Sequence, residues 1–425
     1  MSNLYQDTAE QAPALPALEG ERRADVAIVG AGFTGLSTAL ALAGQGAVVV
    51  VLEAHEPGWG ASGRNGGQVN AGLKPDPDVV ERDFGADLGR RMNALAGNAP
   101  SLVFELIERH GIRCEARRNG TLRAAVRGSS ARAIGATVEQ WKRRGAPVDS
   151  LDATAIAQAT GTRRYAAAMF DRRGGDLNPL SFARGLARAA TAAGAALFAR
   201  TRARSITCEG GVWNVRTDSG AVRAPQVVLA TNGYTDDLWP RLRRTLVPVF
   251  GAIAASAPIP EEIARHVLPS RAVLYETGPV TVYYRVDGSR RLLIGGRGPM
   301  REISHVSALP HLTAYARRLW PELAGVAFTH AWGGRLAMTR DQYPHIHEPA
   351  PGVLVCLGYN GRGVALGTAM GAQLARRLST PSAPFDMPVT GLETIGMHSL
   401  WPLAVRAVVA RGRISDFLAD WVPGG

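Results

Sequence analysis

The stretch that most restricts the fold runs from residue 25 to residue 53. It reads Asp25-Val-Ala-Ile-Val-Gly30-Ala-Gly32-Phe33-Thr34-Gly35, then an apolar run to Ala47, then Val48-Val-Val-Val-Leu-Glu53. A strand entering Gly-x-Gly-x-x-Gly, a helix, and a second strand ending on an acid form the βαβ unit of a dinucleotide-binding fold. Gly30 permits the tight turn, Gly32 lets backbone approach a diphosphate, and Gly35 lets helix and strand pack closely. The helix that starts at Phe33 and Thr34 then points free N–H groups and a favourable dipole at the diphosphate. Glu53 lies 18 residues past Gly35, close to the roughly 20 expected for a ribose-binding acid.

After Glu53 the chain departs from a plain NAD dehydrogenase, which would continue into an ordinary βα unit. It enters Gly58-Trp59-Gly60-Ala61-Ser62-Gly63-Arg64-Asn65-Gly66-Gly67-Gln68. A backbone-rich loop of this kind reaches along an extended cofactor toward its ring. On this wording the sequence resembles the D-amino-acid-oxidase-like (DAO) family of FAD-dependent oxidoreductases, and within it the gamma-glutamylputrescine oxidase subgroup. The resemblance covers roughly residues 24 to 378. It implies an α/β (overall α+β) fold in which a Rossmann-like FAD-binding domain is interleaved with an antiparallel-sheet substrate domain. The expected segments are 22–100, 165–245 and 331–380 for FAD, and 101–164 and 246–330 for substrate. A C-terminal helical extension, 381–425, follows.

The same resemblance implies the cofactor contacts. Gly60, Ala61, Ser62, Arg64, Asn65, Gly66 and Gly67 belong to the flavin-side loop. Thr201-Arg202-Ala203 matches the place where backbone meets adenine. The apolar strand Gln226-Val-Val-Leu-Ala-Thr231-Asn232-Gly233 matches one returning near the diphosphate. Gly334 follows Trp332 on a later segment. The loop Gly358-Tyr359-Asn360-Gly361-Arg362-Gly363-Val364 precedes a small-residue helix whose positive end faces the charge of a reduced flavin near N1 and the C2 carbonyl. Several relatives attach flavin through a cysteine before a Thr-x-Asp segment. The equivalent stretch, Gly334 to Met338, has none, so the FAD is expected to be non-covalent. Arg362 stands where many relatives have histidine.

Substrate residues follow from a hairpin, Thr281–Val286 and Arg291–Gly295, joined by a turn at Asp287-Gly288. Tyr283 and Arg285 share one face of it and Tyr284 takes the other. A tyrosine can wall an amine site, and Arg285 can hold a carboxylate. Trp332, Arg335 and Arg362 are further candidates, and Lys74 is the candidate cation that assists oxygen. His330, His345 and His347 read as structural, and no general base is assigned.

Composition excludes other classes. The chain has 425 residues, is 46% hydrophobic, and carries three widely spaced cysteines, Cys114, Cys208 and Cys356. These suit no disulfide framework and point to a reducing cytoplasm, and no metal-ligand spacing is present. The net charge of +12 is almost all arginine, with lysine only at 74 and 142. The arginines are scattered without interleaved aromatics, which reads as a solvated surface and not as a nucleic-acid site. Arg22-Arg23 before an apolar stretch imitates an export signal, but the glycines and Glu53 account for that stretch as a βαβ unit. Residues 1 to 20 read as loosely ordered. The stretch Leu400 to Trp421 is apolar with interspersed arginines and reads as a helix on the enzyme's own body, or alternatively as a peripheral membrane contact.

The expectation is thus an FAD enzyme oxidising the C–N bond of an amine or amino acid, gamma-glutamylputrescine-like or N-substituted, to an imine. The alternatives are an FAD monooxygenase using NAD(P)H and a non-catalytic arginine-rich binding protein. The oligomeric state is not legible.

Overall fold

The computed structural model describes residues 3–126, 128–278, 281–403 and 405. Two sheets organise them. The first has six strands in the order His345–Ala350, Val353–Leu357, Gln226–Leu229, Val26–Val29, Val49–Leu52 and Ala196–Phe198. Its pairings are parallel, save that of His345–Ala350 with Val353–Leu357. A parallel sheet is covered on both faces, so its strands are continuously apolar, as in Val26-Ala-Ile-Val29 and Val49-Val-Val-Leu52, buried throughout. Alternate residues serve opposite sides. Val26 and Ile28 join a core with the helices Phe33–Ala43, Ala86–Arg109, Pro179–Ala192 and Ala365–Ser379. Ala27 and Val29 face a core that includes Trp213, Val215 and Val222, from a four-stranded sheet that also holds Gly20–Arg23.

The second sheet has eight strands in the order Phe328–Met338, Val247–Ser256, Leu292–Arg297, Tyr283–Val286, Val273–Glu276, Thr121–Ala125, Ala167–Asp171 and Val148–Asp152. Its pairings are antiparallel except where Val273–Glu276 meets Thr121–Ala125 in parallel. That seam joins two stretches of chain separated by the return to the parallel sheet. Leu122, Leu274, Tyr284 and Ile294 line its back, under the helix Pro310–Leu319 and the fully buried Trp320.

Several expectations are corrected. The strand Phe328–Met338 runs unbroken across the expected boundary at 330/331, and Ala167–Asp171, expected on the FAD side, belongs to the large sheet. The apolar strand beginning at Gln226 is Gln226–Leu229, separated from the strand Gly220–Ala224 by Pro225, which has no N–H to donate. A long helix runs from Ala86 to Arg109 and contains Pro100. Its first half buries Gly89, Met92, Asn93, Ala96 and Gly97, where glycine, asparagine and alanine dilute the apolar stripe. The N-terminus is ordered. Leu4–Thr8 is a helix capped by Asn3, with Leu4 and Tyr5 buried. From Thr380 to Met397 the chain is an extended strap, bonded through Thr390 N to Ile346 O and Ile395 N to Arg244 O, and it turns helical only from His398. Most of the stretch 400–421, and with it the expected membrane contact, lies outside the described residues.

Candidate active site

Five strands of the parallel sheet end on one cavity of about 730 Å³, on the carboxyl side where such folds bind ligands. The order of strands dictates this. Val26–Val29 sits centrally, with Gln226–Leu229 on one side and Val49–Leu52 on the other, so their following loops diverge around a crevice. Gly30 forms its floor at φ +105°, and a Cβ there would stand 2.9 Å from the Ala230 carbonyl oxygen. A Cβ on Gly35 would stand 2.0 Å from the Gly30 oxygen, so neither position admits a side chain. The helix then starts at Phe33, whose N–H donates to Ser62 Oγ at 3.0 Å. Thr34 and Tyr359 share a hydroxyl–hydroxyl bond of 2.5 Å.

Glu53 ends the next strand. Its Oε2 accepts Ala31 N–H at 2.8 Å and its Oε1 accepts His55 N–H at 2.9 Å. Burial pushes its pKa up, opposed by these backbone bonds. The returning strand supplies Thr231 and Asn232, and Asn232 Oδ1 accepts Gly358 N–H at 2.9 Å. Asn360 is bonded to Thr339 N–H and to the Gly358 carbonyl, which shapes the turn before the helix Ala365–Ser379.

The flavin-side loop is held from beneath by its carbonyls. Gly63 O accepts Asn3 Nδ2, Arg64 O accepts Trp332 Nε1 at 3.0 Å, Gly66 O accepts Arg285 Nε at 2.8 Å, and Gly67 O accepts Leu177 N–H. Asn65 ties the loop internally to Ala61 O, Ser62 O and Gly67 N–H. Gly66 is required by its neighbour, since a Cβ would meet the Tyr283 ring at 2.6 Å.

The cavity continues past this loop to Tyr275, Tyr283, Lys74, Arg297 and Arg362. Tyr283 lies across the strand, over Gly295, and burial raises its pKa, so it is a neutral phenol. Arg362 donates to Ala71 O at 2.7 Å and to the Tyr275 hydroxyl at 2.9 Å. Lys74 is exposed where it lines the cavity. Desolvation, followed by the charges of Arg362, Arg123 and Arg297, lowers its pKa to about 8.

Of the residues expected from the sequence, Gly30, Gly32, Phe33, Thr34, Glu53, Gly60, Ala61, Ser62, Arg64, Asn65 and Gly66 line this one cavity. So do Ala203, Thr231, Asn232, Gly334, Tyr359, Asn360, Gly361, Gly363, Val364, Lys74 and Tyr283. Gly35, Gly67, Gly233 and Gly358 do not; each is pressed against a neighbouring backbone or side chain and shapes the turns. Two expected substrate residues are corrected. Arg285 faces the right side of the hairpin but is covered by Gly66 and Gly67, and its Nη1 binds the buried Asp176 at 2.9 Å. Trp332 is 2% exposed, edge-on to Tyr5 at 5.1 Å, and supports the loop from below. Sequence reasoning missed Tyr275 and Arg297. The signal was present for Arg297, because Gly295 pairs with Tyr283 and a residue two further on shares that face.

The histidines are spent elsewhere: His330 on Asp7, His345 on Asp341 and His347 on the Thr390 carbonyl. Among the described residues no His/Cys/Asp/Glu group is arranged to hold a metal. The glycine floor, the acid at the strand end, the helix N-termini and the extended cavity fit FAD, held from Glu53 at one end to the glycine loop and the turn 358–364 at the other.

Comparison with known proteins agrees. The model of the FAD dependent oxidoreductase (DAO) family matches residues 25–377. The "Probable oxidoreductase OrdL" of Rhizobium meliloti is 34% identical over 388 residues, covering 90% of this chain and 89% of that protein. The gamma-glutamylputrescine oxidoreductase of Escherichia coli is 31% identical over 389 residues, 91% of this chain and 90% of that protein. The crystal structure of glycine oxidase from Geobacillus kaustophilus shares the fold, with a TM-score of 0.72 at 24% identity over 85% of this chain and 96% of that one.

Proposed function

This chain belongs to the DAO family of FAD-dependent oxidoreductases, and we propose that it oxidises the C–N bond of an amine that also carries a carboxylate, a gamma-glutamylputrescine-like compound or an N-substituted amino acid. It is an FAD-dependent amine or amino-acid oxidoreductase by family; the substrate class is our reading. The observation that carries it is the end of the cavity beyond the glycine loop, where Tyr275 and Tyr283 stand beside Lys74, Arg297 and Arg362. Aromatic faces suit an amine and the cations suit an acid.

Bound FAD supplies the acceptor for the hydride that leaves the carbon next to nitrogen. The chain's part is to orient that C–H bond and exclude water. The substrate loses a hydride and a proton, becomes an imine, and is hydrolysed to a carbonyl compound and an amine. The amine must be neutral to react, and the cations at this end favour its neutral form. The histidine that lines the cavity, His55, stands two residues from Glu53, far along the chain from the tyrosines. The three free cysteines suit a reducing, cytoplasmic setting. Anaerobic mixing of the holoenzyme with gamma-glutamylputrescine and N-methyl amino acids should bleach the flavin without NAD(P)H. A strict need for NAD(P)H would replace this reading with a monooxygenase.

A further inference from the structure

Arg301 lines the cavity without a side-chain partner among the described residues but is exposed. Among the arginines in and beside the cavity that are withdrawn from solvent, all but one are accounted for. Arg285 is paired with Asp176, Arg123 with Asp76, and Arg64 with the Trp59 carbonyl. Arg362 is bonded to Ala71 O and the Tyr275 hydroxyl. The Arg297 side chain has no hydrogen bond, ion pair or ring contact among the described residues, although it lines the cavity. Of the acids that line the same cavity, Glu53 is bonded to backbone N–H groups, Asp236 pairs with Arg202, and Glu302 is exposed and pairs with no described cation. A guanidinium withdrawn from bulk water and left without an acceptor is costly. Burial, unopposed by any anion, lowers the Arg297 pKa.

Its position specifies the ligand. Gly295 stands opposite Tyr283 in the sheet. Arg297 lies two residues further along the same strand, about 7 Å away on the same face. The other flank of the Tyr283 ring abuts Gly66 of the glycine loop. The Tyr283 ring therefore lies between that loop and Arg297. A substrate reaching both must cross the ring, so its acid is separated from its reacting carbon by several bonds. An α-amino acid such as glycine is too short for this.

We propose that Arg297 is the specificity-determining residue of this enzyme, gripping a substrate carboxylate remote from the oxidised C–N bond. The inference rests on the amine-oxidation reading and narrows it to long amines with a distal acid. The planar fork of arginine matches a carboxylate with two parallel hydrogen bonds. Lys74 adds positive potential beside it, its own pKa lowered in part by Arg297.

The test is calorimetric titration of the holoenzyme with glutarate and with neutral glutaramide. The protein should bind glutarate at least about tenfold more tightly than glutaramide, and Arg297→Gln should abolish that preference. Arg297→Lys should keep part of it, which guards against a Gln variant that loses FAD. Among substrates, Arg297→Gln should raise KM for gamma-glutamylputrescine about tenfold with kcat little changed. It should leave 4-aminobutanoylputrescine, the same skeleton without the carboxylate, unaffected. No preference for glutarate in the parent enzyme, or an equal preference in a flavin-loaded Arg297→Gln, overturns the proposal. Glutarate binding that depends on Arg297, in a protein whose flavin no amine bleaches, would retain the acid site and refute amine oxidation instead.

Discussion

Both carboxylate oxygens of Glu53 accept backbone N–H groups, from Ala31 and from His55. The acid is thus fixed by the turn that forms the floor of the site, with lone pairs left for ribose hydroxyls. Glu53→Ala should weaken FAD binding by about 1.5–3 kcal/mol, roughly tenfold to a hundredfold. Titrating apoprotein with FAD and following flavin fluorescence checks this, and an unchanged affinity would remove Glu53 from the ribose site. Lys74 makes a different kind of prediction. Its pKa in the fold is about 8 against an ordinary 10.5, so the fold disfavours its charged form. Below pH 8 the ammonium is carried in both folded and unfolded chains, and the full penalty is present. As pH rises from about 8 to 10.5 the folded chain releases its proton first, and the penalty fades. In apoprotein, Lys74→Met should therefore raise Tm at pH 7, with the advantage shrinking between pH 8 and 10.5. Parallel Tm curves for the two proteins across that range would contradict the desolvation of Lys74 and the repulsion from its neighbouring arginines. The arginines show where reading single residues stops. Alternation along the hairpin puts Tyr283, Arg285 and Arg297 on one face, but only packing decides that Gly66 and Gly67 cover Arg285 and leave Arg297 lining the cavity.

Among the elements, the short helix Leu4–Thr8 has the most influence for its length. Tyr5 is 1% exposed, packs edge-on against Trp332, and its hydroxyl accepts Arg285 Nη2 at 3.3 Å. Trp332 and Arg285 in turn hold the carbonyls of Arg64 and Gly66. The first turn of the chain thus supports the flavin-side loop at second hand. Tyr5→Ala opens a void and leaves a buried guanidinium N–H without its acceptor. It should cost about 3–5 kcal/mol in stability, measured as a shifted denaturant midpoint, and weaken FAD binding as well. A stability loss with unchanged FAD affinity would show that the loop holds its shape without this prop. The helix was illegible because five residues carry too little periodicity to read. The βαβ unit was legible because apolar runs, glycine spacing and the acid all follow from local demands. The same holds for the hairpin, where alternation and the Asp287-Gly288 turn agree. Strand order in the large sheet, including its one parallel seam, is fixed by contacts between distant segments that leave no local trace.

At the scale of the whole molecule, arginine serves as an internal tie as well as a surface charge. Arg117 and Arg285 share Asp176, Arg173 clasps Asp171, and Arg91 joins a long helix to the C-terminal strap through Asp386. Planar forks capture carbonyls and carboxylates that a lysine would meet singly, which accounts for much of the bias in composition. The walls of the cofactor's cavity come from both large sheets. Gly30 and Glu53 belong to one, and Tyr283 and Arg297 to the other. No cysteine lines the cavity, and burial pushes the Cys114 and Cys356 thiols up to about 12, where the nucleophilic thiolate is scarce. The attachment should therefore be non-covalent, and acid precipitation should release all the yellow colour into the supernatant. Colour left in the pellet would refute this. A ligand that binds only the folded chain stabilises it by about 4 kcal/mol at a thousandfold excess over its Kd. Stripped protein should thus melt several degrees lower, and its Tm should climb steadily with added FAD. Because the cavity bridges both sheets, loss of FAD should loosen them together, seen as one cooperative transition moving down in temperature. Two separate transitions in the stripped protein, with only one responding to FAD, would mean that the sheets fold independently and that the cofactor is held by the parallel sheet alone.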